Sequence, residues 1–393
     1  MTHGFGIIGA GTIAAVHADA LALLPDARLL AVTDIDAGAA RAFAEVRGCA
    51  AEPSLEALLA RPDIDVVCVC VPSGLHAGIG VRAAKAGRHL VVEKPVDVSL
   101  EAADRLLSAA REAGVALTVM SQHRFDPGVI ELRRLIDEGA LGRLVLGEAH
   151  TKWHRTQGYY DRADWRGTWA LDGGSLLNQG VHYVDLLRWC MGPVAEVTAF
   201  CTTQAHDVEV EDTALAVVRF ASGAVGTISS TTAAFPGFPQ RLEVTGTEGT
   251  VIIEDGQIVR SALAREPAPR RPDALQASPE ETAAADPGAL DAAFHAAQIA
   301  GFLRAIEEGH EPAVTGDSGR AALEIVCAVY ESSRTGQPVK LSLLRSARDR
   351  DPERVRRRDF VRPEGTAGRA GGRVHHLPGT AQRLVGERRR LHR

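Results

Sequence analysis

Near the start of the chain, "FGIIGAGTIAAVHADAL" (5–21) runs a short apolar strand through a glycine turn straight into a helix pattern. That order constrains the fold strongly. Two parallel strands need a long crossover between them, and a helix placed immediately after a strand is the usual one. The alternation then repeats. A strand ends at Asp34, a helix runs through Phe43, a strand spans 65–72, a helix starts at Leu75, a strand spans 89–95, a helix starts at Ser99 and a strand spans 116–125. The strands are near-continuously apolar, as in "DVVCVCVP", which fits a sheet covered on both faces. An α/β fold with a doubly wound parallel sheet is therefore predicted for residues 1–124.

Beyond Arg124 the periodicity changes. A helix is expected at about 127–137, and the stretch 172–187 carries Leu177, Val181, Val184 and Leu187 at helical spacing. Apolar and polar residues then alternate in "VTAFCTTQA" (197–205), "DTALAVVRF" (212–220), "GAVGTISSTT" (223–232), "RLEVTGTEG" (241–249) and "TVIIED" (250–255). Hairpin turns at "ASGA" and "GTEG" connect several of these segments. The pattern predicts an α+β domain over 125–345 with a large open, mainly antiparallel sheet, closed by helices at about 289–308 and 317–334. The Pro/Ala/Glu-rich stretch 266–288 reads as an exposed loop.

At 393 residues the chain exceeds one core, given ~100–200 residues per domain. No apolar run approaches the ~18 residues of a membrane span, and the strand pattern entered at Phe5 leaves no room for a signal peptide, so a cytoplasmic protein is expected. Six cysteines form no CxxC pair, which argues for buried thiols and against a metal centre. The net charge of −6 conceals an arginine-rich tail at 346–393 whose composition is that of a disordered, dispensable segment. Without aromatic interleaving it does not read as a nucleic-acid surface.

The first turn carries Gly9-x-Gly11-x-x-Ala14, with Thr12 and Ile13 opening the helix. Small residues let backbone approach a pyrophosphate closely, and a helix N-terminus offers it free N–H groups and a favourable dipole. Asp34, at the end of the second strand, stands where a carboxylate would bind ribose hydroxyls. Asp36 follows and no arginine is adjacent, so a ribose 2′-phosphate would meet repulsion and NAD is favoured over NADP.

Lysines are few: positions 85, 94, 152 and 340, among 44 basic residues. Lys94 ends the fourth parallel strand, and ligands of open α/β sheets bind at the carboxyl ends of strands. Unlike arginine, a lysine there can shift its pKa and offer a compact donor to an alkoxide or carbonyl oxygen. In "DGGSLLNQGVHYVDLL" (172–187), Asn178, His182 and Asp185 recur at i, i+4 and i+7, one face of a continuous helix. That face is either a solvated helix surface or a reactive patch.

Taken in order between about Gly6 and Leu344, "GIIGAGTIA", "VCVPSGLHA", "EKP", "QHRF" and "GGSLLNQGVHYVDLL" resemble the glucose–fructose oxidoreductase/inositol dehydrogenase/rhizopine catabolism (Gfo/Idh/MocA) family. The resemblance implies a Rossmann domain followed by a domain whose open sheet forms the interface of a dimer or tetramer. It implies that Ser73, His76, Glu93, Lys94 and Gln122 join Gly9, Gly11, Thr12, Ile13 and Asp34 around NAD. It also implies that Lys94 and His182 are catalytic and that the bond before Pro95 is cis. Ser175 stands where the family pattern has a third glycine, and Asn178 where it commonly has an aspartate. Asparagine can orient an imidazole or hydrogen-bond a hydroxyl, but it cannot take a proton. Asp185 is expected to be a helix-surface or structural acid.

The implied reaction moves a hydride between nicotinamide and a secondary alcohol of a sugar, sugar acid, cyclitol or nucleotide-sugar. His182, with an ordinary pKa of ~6.5, suits the hydroxyl proton, and Lys94 the developing oxyanion. "KWHRTQGYYDRADWRGTW" (152–169) concentrates Arg155, Tyr159, Tyr160, Trp165 and Arg166, either as a substrate wall or as a bulky domain-bridging loop. Two other functions keep the same cofactor: an NAD-retaining, glycosidase-like enzyme without net redox, and a non-catalytic NAD-binding sensor.

Overall fold

The computed structural model describes residues 2–265 and 292–342. Six strands, β1 (His3–Ile8), β2 (Ala27–Thr33), β3 (Ala50–Ala51), β4 (Val66–Val69), β5 (His89–Val92) and β6 (Leu117–Val119), form one sheet in the order β3-β2-β1-β4-β5-β6. Every pairing is parallel. The crossovers carry α1 (Thr12–Ala22), α2 (Ala37–Arg47), α3 (Leu55–Ala60), α4 (His76–Lys85) and α5 (Leu100–Ala113). β1 and β4 are buried along their whole length, as strands covered on both faces must be. Strand order reverses between them, which opens a crevice at their carboxyl ends.

Three strands stop sooner than their apolar runs suggest, β4 already at Val69 ahead of the 3₁₀ turn Ser73–Leu75. β5 ends at Val92 and β6 at Val119, because the chain there leaves the sheet: Lys94–Pro95 is a cis peptide and Gln122–Phe125 forms a 3₁₀ turn. The two-residue β3 and the six-residue α3 are too short to stand out as periodic segments.

After α6 (Pro127–Asp137), a second sheet of eight strands is built from β7 (Leu144–Lys152), β8 (Val194–Thr202), β9 (Thr213–Phe220), β10 (Val225–Thr231), β11 (Arg241–Gly246), β12 (Gly249–Glu254), β13 (Gln257–Leu263) and β14 (Val339–Lys340). Their order is β13-β12-β11-β7-β10-β9-β8-β14, antiparallel except where β7 meets β10. Alternation in β9 buries Ala214, Ala216, Val218 and Phe220, while Leu215 and Val217 remain 53% and 57% exposed. The buried side faces α8 (Val181–Met191) and α10 (Gly316–Thr335), which follow the single turn α7 (Gln157–Tyr160) and α9 (Ala292–Glu308) in chain order.

The helix expected at 289–308 to close the second domain does something else. Its described part, α9, packs on α1, and Ala296, Ile299, Phe302 and Leu303 join Phe5, Ile7, Ala14, Ala18 and Leu21 in one buried cluster. Small residues on α1 let the larger side chains of α9 seat closely.

A continuous helix over 172–187 is also not what forms. Gly173 sits at φ +82°, and a Cβ on Gly174 would collide with the Glu211 carboxylate, so this turn admits only glycine without rearrangement. Leu176–Gly180 is then wound as a π-helical turn, and the α-helix proper begins at Val181. The segment 266–288 and the arginine-rich tail lie outside the described residues, and no described helix is long and apolar enough to cross a membrane.

Candidate active site

The first turn is made of backbone. Gly9 has φ +97°, and any Cβ there would collide with the Cys70 carbonyl, whereas a Cβ on Gly11 would project into open space. Gly11 caps α1 without a side-chain hydrogen bond, which leaves the first-turn N–H groups at Thr12 and Ile13 open to an anion. Asp34 lies alongside: its Oδ2 accepts the Ala10 N–H at 2.8 Å and its Oδ1 the Asp36 N–H at 2.8 Å. Asp36 itself caps α2, so two acids stand at the tip of β2 beside a fully exposed Ile35. A cradle that a side chain would fill, an uncapped helix start and a carboxylate at the second strand end fit a dinucleotide.

Lys94 leaves the sheet after β5 and is half-buried. Its Nζ donates to the Asn178 carbonyl at 2.8 Å and stands 3.4 Å from Asn178 Oδ1. The Asn178 amide donates in turn to Asp172 Oδ1. Burial pulls the Lys94 ammonium below its ordinary value, opposed by the charges of Glu93 and Asp172 and reinforced by Arg166 and Arg155. Burial raises the Asp172 carboxyl, against which the Gly167 N–H and Arg166 work. Lysine and carboxylate thus face each other across an amide.

His182 is 9% exposed, meets the His123 ring edge-on at 4.9 Å, and has no hydrogen-bond partner among the described residues. Burial, reinforced by Lys94 and His123, holds its pKa well below the ordinary 6.5. At neutral pH the imidazole is a neutral base with free lone-pair capacity. Asp185 borders the same cavity as Lys94 and His182 but is committed to another partner. Both its oxygens take the Arg124 guanidinium, at 2.7 and 2.5 Å, in a buried bidentate pair that ties the end of the first sheet to α8. Of the three polar residues that one helical face groups, Asp185 is committed to Arg124, while Asn178 and His182 both stand next to Lys94.

Other expected cofactor residues are placed differently from one another. Ser73 is buried in a 3₁₀ turn. His76 is spent on structure, with Nδ1 2.7 Å from the Pro95 carbonyl and Nε2 2.8 Å from that of Val71. Gln122 is buried, and its Oε1 has no partner among the described residues. Glu93 lies beneath Lys94, accepting the His17 ring at 2.7 Å and approaching that of His295 at 3.7 Å. Burial would raise the Glu93 carboxyl, but these two histidines hold it well below its ordinary value. The 2.7 Å separation is a hydrogen bond, shorter than the roughly 3.3 Å between ligands sharing a tetrahedral zinc.

In the aromatic segment, Arg166 lies over Tyr159 at 4.3 Å and Trp165 at 4.5 Å, and the buried Arg155 lies over Tyr159 at 5.5 Å. Tyr160 turns elsewhere, its hydroxyl paired with Thr232 at 2.8 Å. Sequence reasoning missed Asp172 and His123. Each sits inside a recognisable motif, one opening "DGGS" and the other within "QHRF", and neither has the helical or strand spacing that draws notice.

Comparison with known proteins agrees with this architecture. An oxidoreductase family with an NAD-binding Rossmann fold matches residues 3–121, and the GFO/IDH/MocA C-terminal domain matches 129–252. The chain is 31% identical over 342 residues to the inositol 2-dehydrogenase of Rhizobium meliloti (strain 1021), covering 84% of this chain and 97% of that one. It is 28% identical over 343 residues to the myo-inositol 2-dehydrogenase of Thermotoga maritima, covering 86% and 98%. The WlbA dehydrogenase from Bordetella pertussis, solved in complex with NADH and UDP-GlcNAcA, superposes with a TM-score of 0.77 at 32% identity, covering 87% of this chain and 100% of that one. With a glycine-built dinucleotide cradle in front and an open antiparallel sheet behind, the chain belongs to the GFO/IDH/MocA family of NAD-binding oxidoreductases.

Proposed function

We propose that the protein oxidises a secondary alcohol of a sugar, sugar acid, cyclitol or nucleotide-sugar, with Lys94, His182 and Asn178 as its reactive corner. The observation that carries this reading is the convergence, at the carboxyl ends of the parallel strands, of a half-buried lysine and a buried neutral histidine with no hydrogen-bond partner among the described residues. When bound, NAD supplies the hydride acceptor. His182 takes the hydroxyl proton as the carbon is oxidised, Lys94 holds the oxygen as negative charge grows on it, and Asn178 fixes where Lys94 points. Tyr159, Trp165, Arg155 and Arg166 form the substrate wall, where stacked guanidinium groups and aromatic faces suit a hydroxylated ring. Ligands of the relatives, inositols and UDP-GlcNAcA, mark the substrate range to search.

The proposed division places the cofactor part at 1–124, the substrate part at 125–345 and a tail beyond it, with α9 returning to the cofactor part. The open face of the eight-stranded sheet, where Phe200 is 76% exposed beside Leu215 and Val217, is the surface through which copies associate. NADH formation across free sugars, inositols, sugar acids and UDP-sugars tests the function. Net NADH release with one class supports it; product formation with the cofactor retained and unchanged would instead favour a non-redox enzyme.

A further inference from the structure

Asp172 is 1% exposed and stands six residues before Asn178, at the mouth of the glycine turn. Its two carboxylate oxygens have separate partners. Oδ2 accepts the Gly167 N–H at 2.8 Å, and Oδ1 accepts the Asn178 side-chain amide. An amide that donates on one side presents its oxygen on the other, and that oxygen faces the Lys94 ammonium. A continuous chain of contacts therefore runs from the turn carrying Trp165 and Arg166, through Asp172 and Asn178, to Lys94. We propose that Asp172 is the positioning residue of this site, locking the Asn178 amide so that its oxygen meets Lys94 and pinning the Trp165–Gly167 turn to the same corner. Its negative charge, one residue removed, also favours the charged form of a lysine that burial would discharge. The inference rests on the assignment of Lys94 as the group that holds the reacting oxygen.

The hydrogen-bond directions supply a test. Asp172→Asn alone brings a donor against a donor, either at the Asn178 amide or at the Gly167 N–H. In the double variant Asp172→Asn with Asn178→Asp, carboxylate and amide exchange places. The bond between positions 172 and 178 is then remade with the donor on the other side, the Gly167 N–H and Lys94 still donate as before, and net charge is unchanged. Only four lysines are present, so the Lys94 amine can be followed in the unliganded protein by pH-dependent acylation with acetic anhydride and peptide mass spectrometry.

Asp172→Asn is expected to move half-maximal labelling of Lys94 down by roughly one pH unit. It is also expected to lower kcat, on the fastest compound among those sugars, inositols, sugar acids and UDP-sugars, by roughly tenfold to hundredfold, with NADH affinity little changed. The exchange variant should restore kcat and bring half-maximal labelling of Lys94 back to the parent pH or above it, since the carboxylate then faces the ammonium directly. Parent-like labelling and kcat in Asp172→Asn, or an exchange variant no better than the single one, overturns the proposal. If Asp172→Asn does not fold, Asn178→Asp alone decides: a second carboxylate beside Asp172 should move Lys94 labelling upward, and no movement overturns it. Should Lys94→Ala itself keep normal turnover, the assignment of Lys94 fails, an outcome distinct from failure of Asp172.

Discussion

The glycine turn and the lysine corner lie at the ends of strands in one sheet, yet they are made of opposite materials. At the turn, Gly9 and Gly11 act through what they lack, and the groups on offer are backbone N–H donors at an uncapped helix start. At the corner, side chains from positions 84 residues apart meet inside the protein, and their value lies in charge and orientation. A backbone cradle binds without discriminating between ground and transition state. A lysine, an amide and an imidazole aimed at a reacting oxygen act where charge develops. Damage to the first should appear as lost cofactor affinity, and damage to the second as lost turnover.

The largest effect is expected at the corner. Lys94→Ala and His182→Ala should each lower kcat by about 10²–10⁴, while NADH affinity, read by fluorescence titration, changes little. The pH profile sharpens the point. Because burial lowers the His182 pKa, the neutral base persists below pH 6.5, so kcat/KM for oxidation should stay level from pH 8 through 6.5 and fall only under more acidic conditions. A limb centred above 6.5 in the parent would remove His182 from the role of base. Next comes the turn: Gly9→Ala forces a side chain against the Cys70 carbonyl at positive φ, and NADH binding should weaken by roughly tenfold to hundredfold with kcat less affected. A larger loss in kcat than in affinity would break the contrast between the two regions. The smallest effect belongs to Asp34→Ala, which should erode the preference for NAD over NADP by about tenfold in paired titrations, since a carboxylate facing a 2′-phosphate is removed. Equal binding of the two cofactors by the parent would show that Asp34 does not discriminate.

The turn was legible because its information is local. Gly9, Gly11 and Asp34 fall within one strand–helix–strand unit, and the alternation of apolar strands with helices sets that unit's geometry. Lys94 was legible for a different reason, its rarity at a strand end. The corner around it was legible only in part. Helical spacing groups Asn178, His182 and Asp185, but Asp185 is taken by Arg124, and the π-helical turn at Leu176–Gly180 is preceded by a glycine under which a glutamate packs from 37 residues downstream. Burial pushes the Glu211 carboxyl up to about 8, and its Oε1 accepts the Leu176 N–H at 2.8 Å and the Tyr330 hydroxyl at 3.1 Å. No period in the sequence encodes such a partner. The second sheet shows the same limit: its alternating strands were readable, whereas the parallel meeting of β7 and β10 depends on closure over long separations.

The seating of α9 on α1 has a consequence for biosynthesis. The cofactor half leaves the ribosome first, but Ile299, Phe302 and Leu303, each contributing about 1.5–3 kcal/mol when fully buried, arrive more than 280 residues after the helix they cover begins. Until then the apolar flank of α1 and its neighbours stays wet and open to chaperones. The N-terminal half thus reaches its final core only when the C-terminal half has been translated, and nascent chains halted in between leave that apolar flank uncovered.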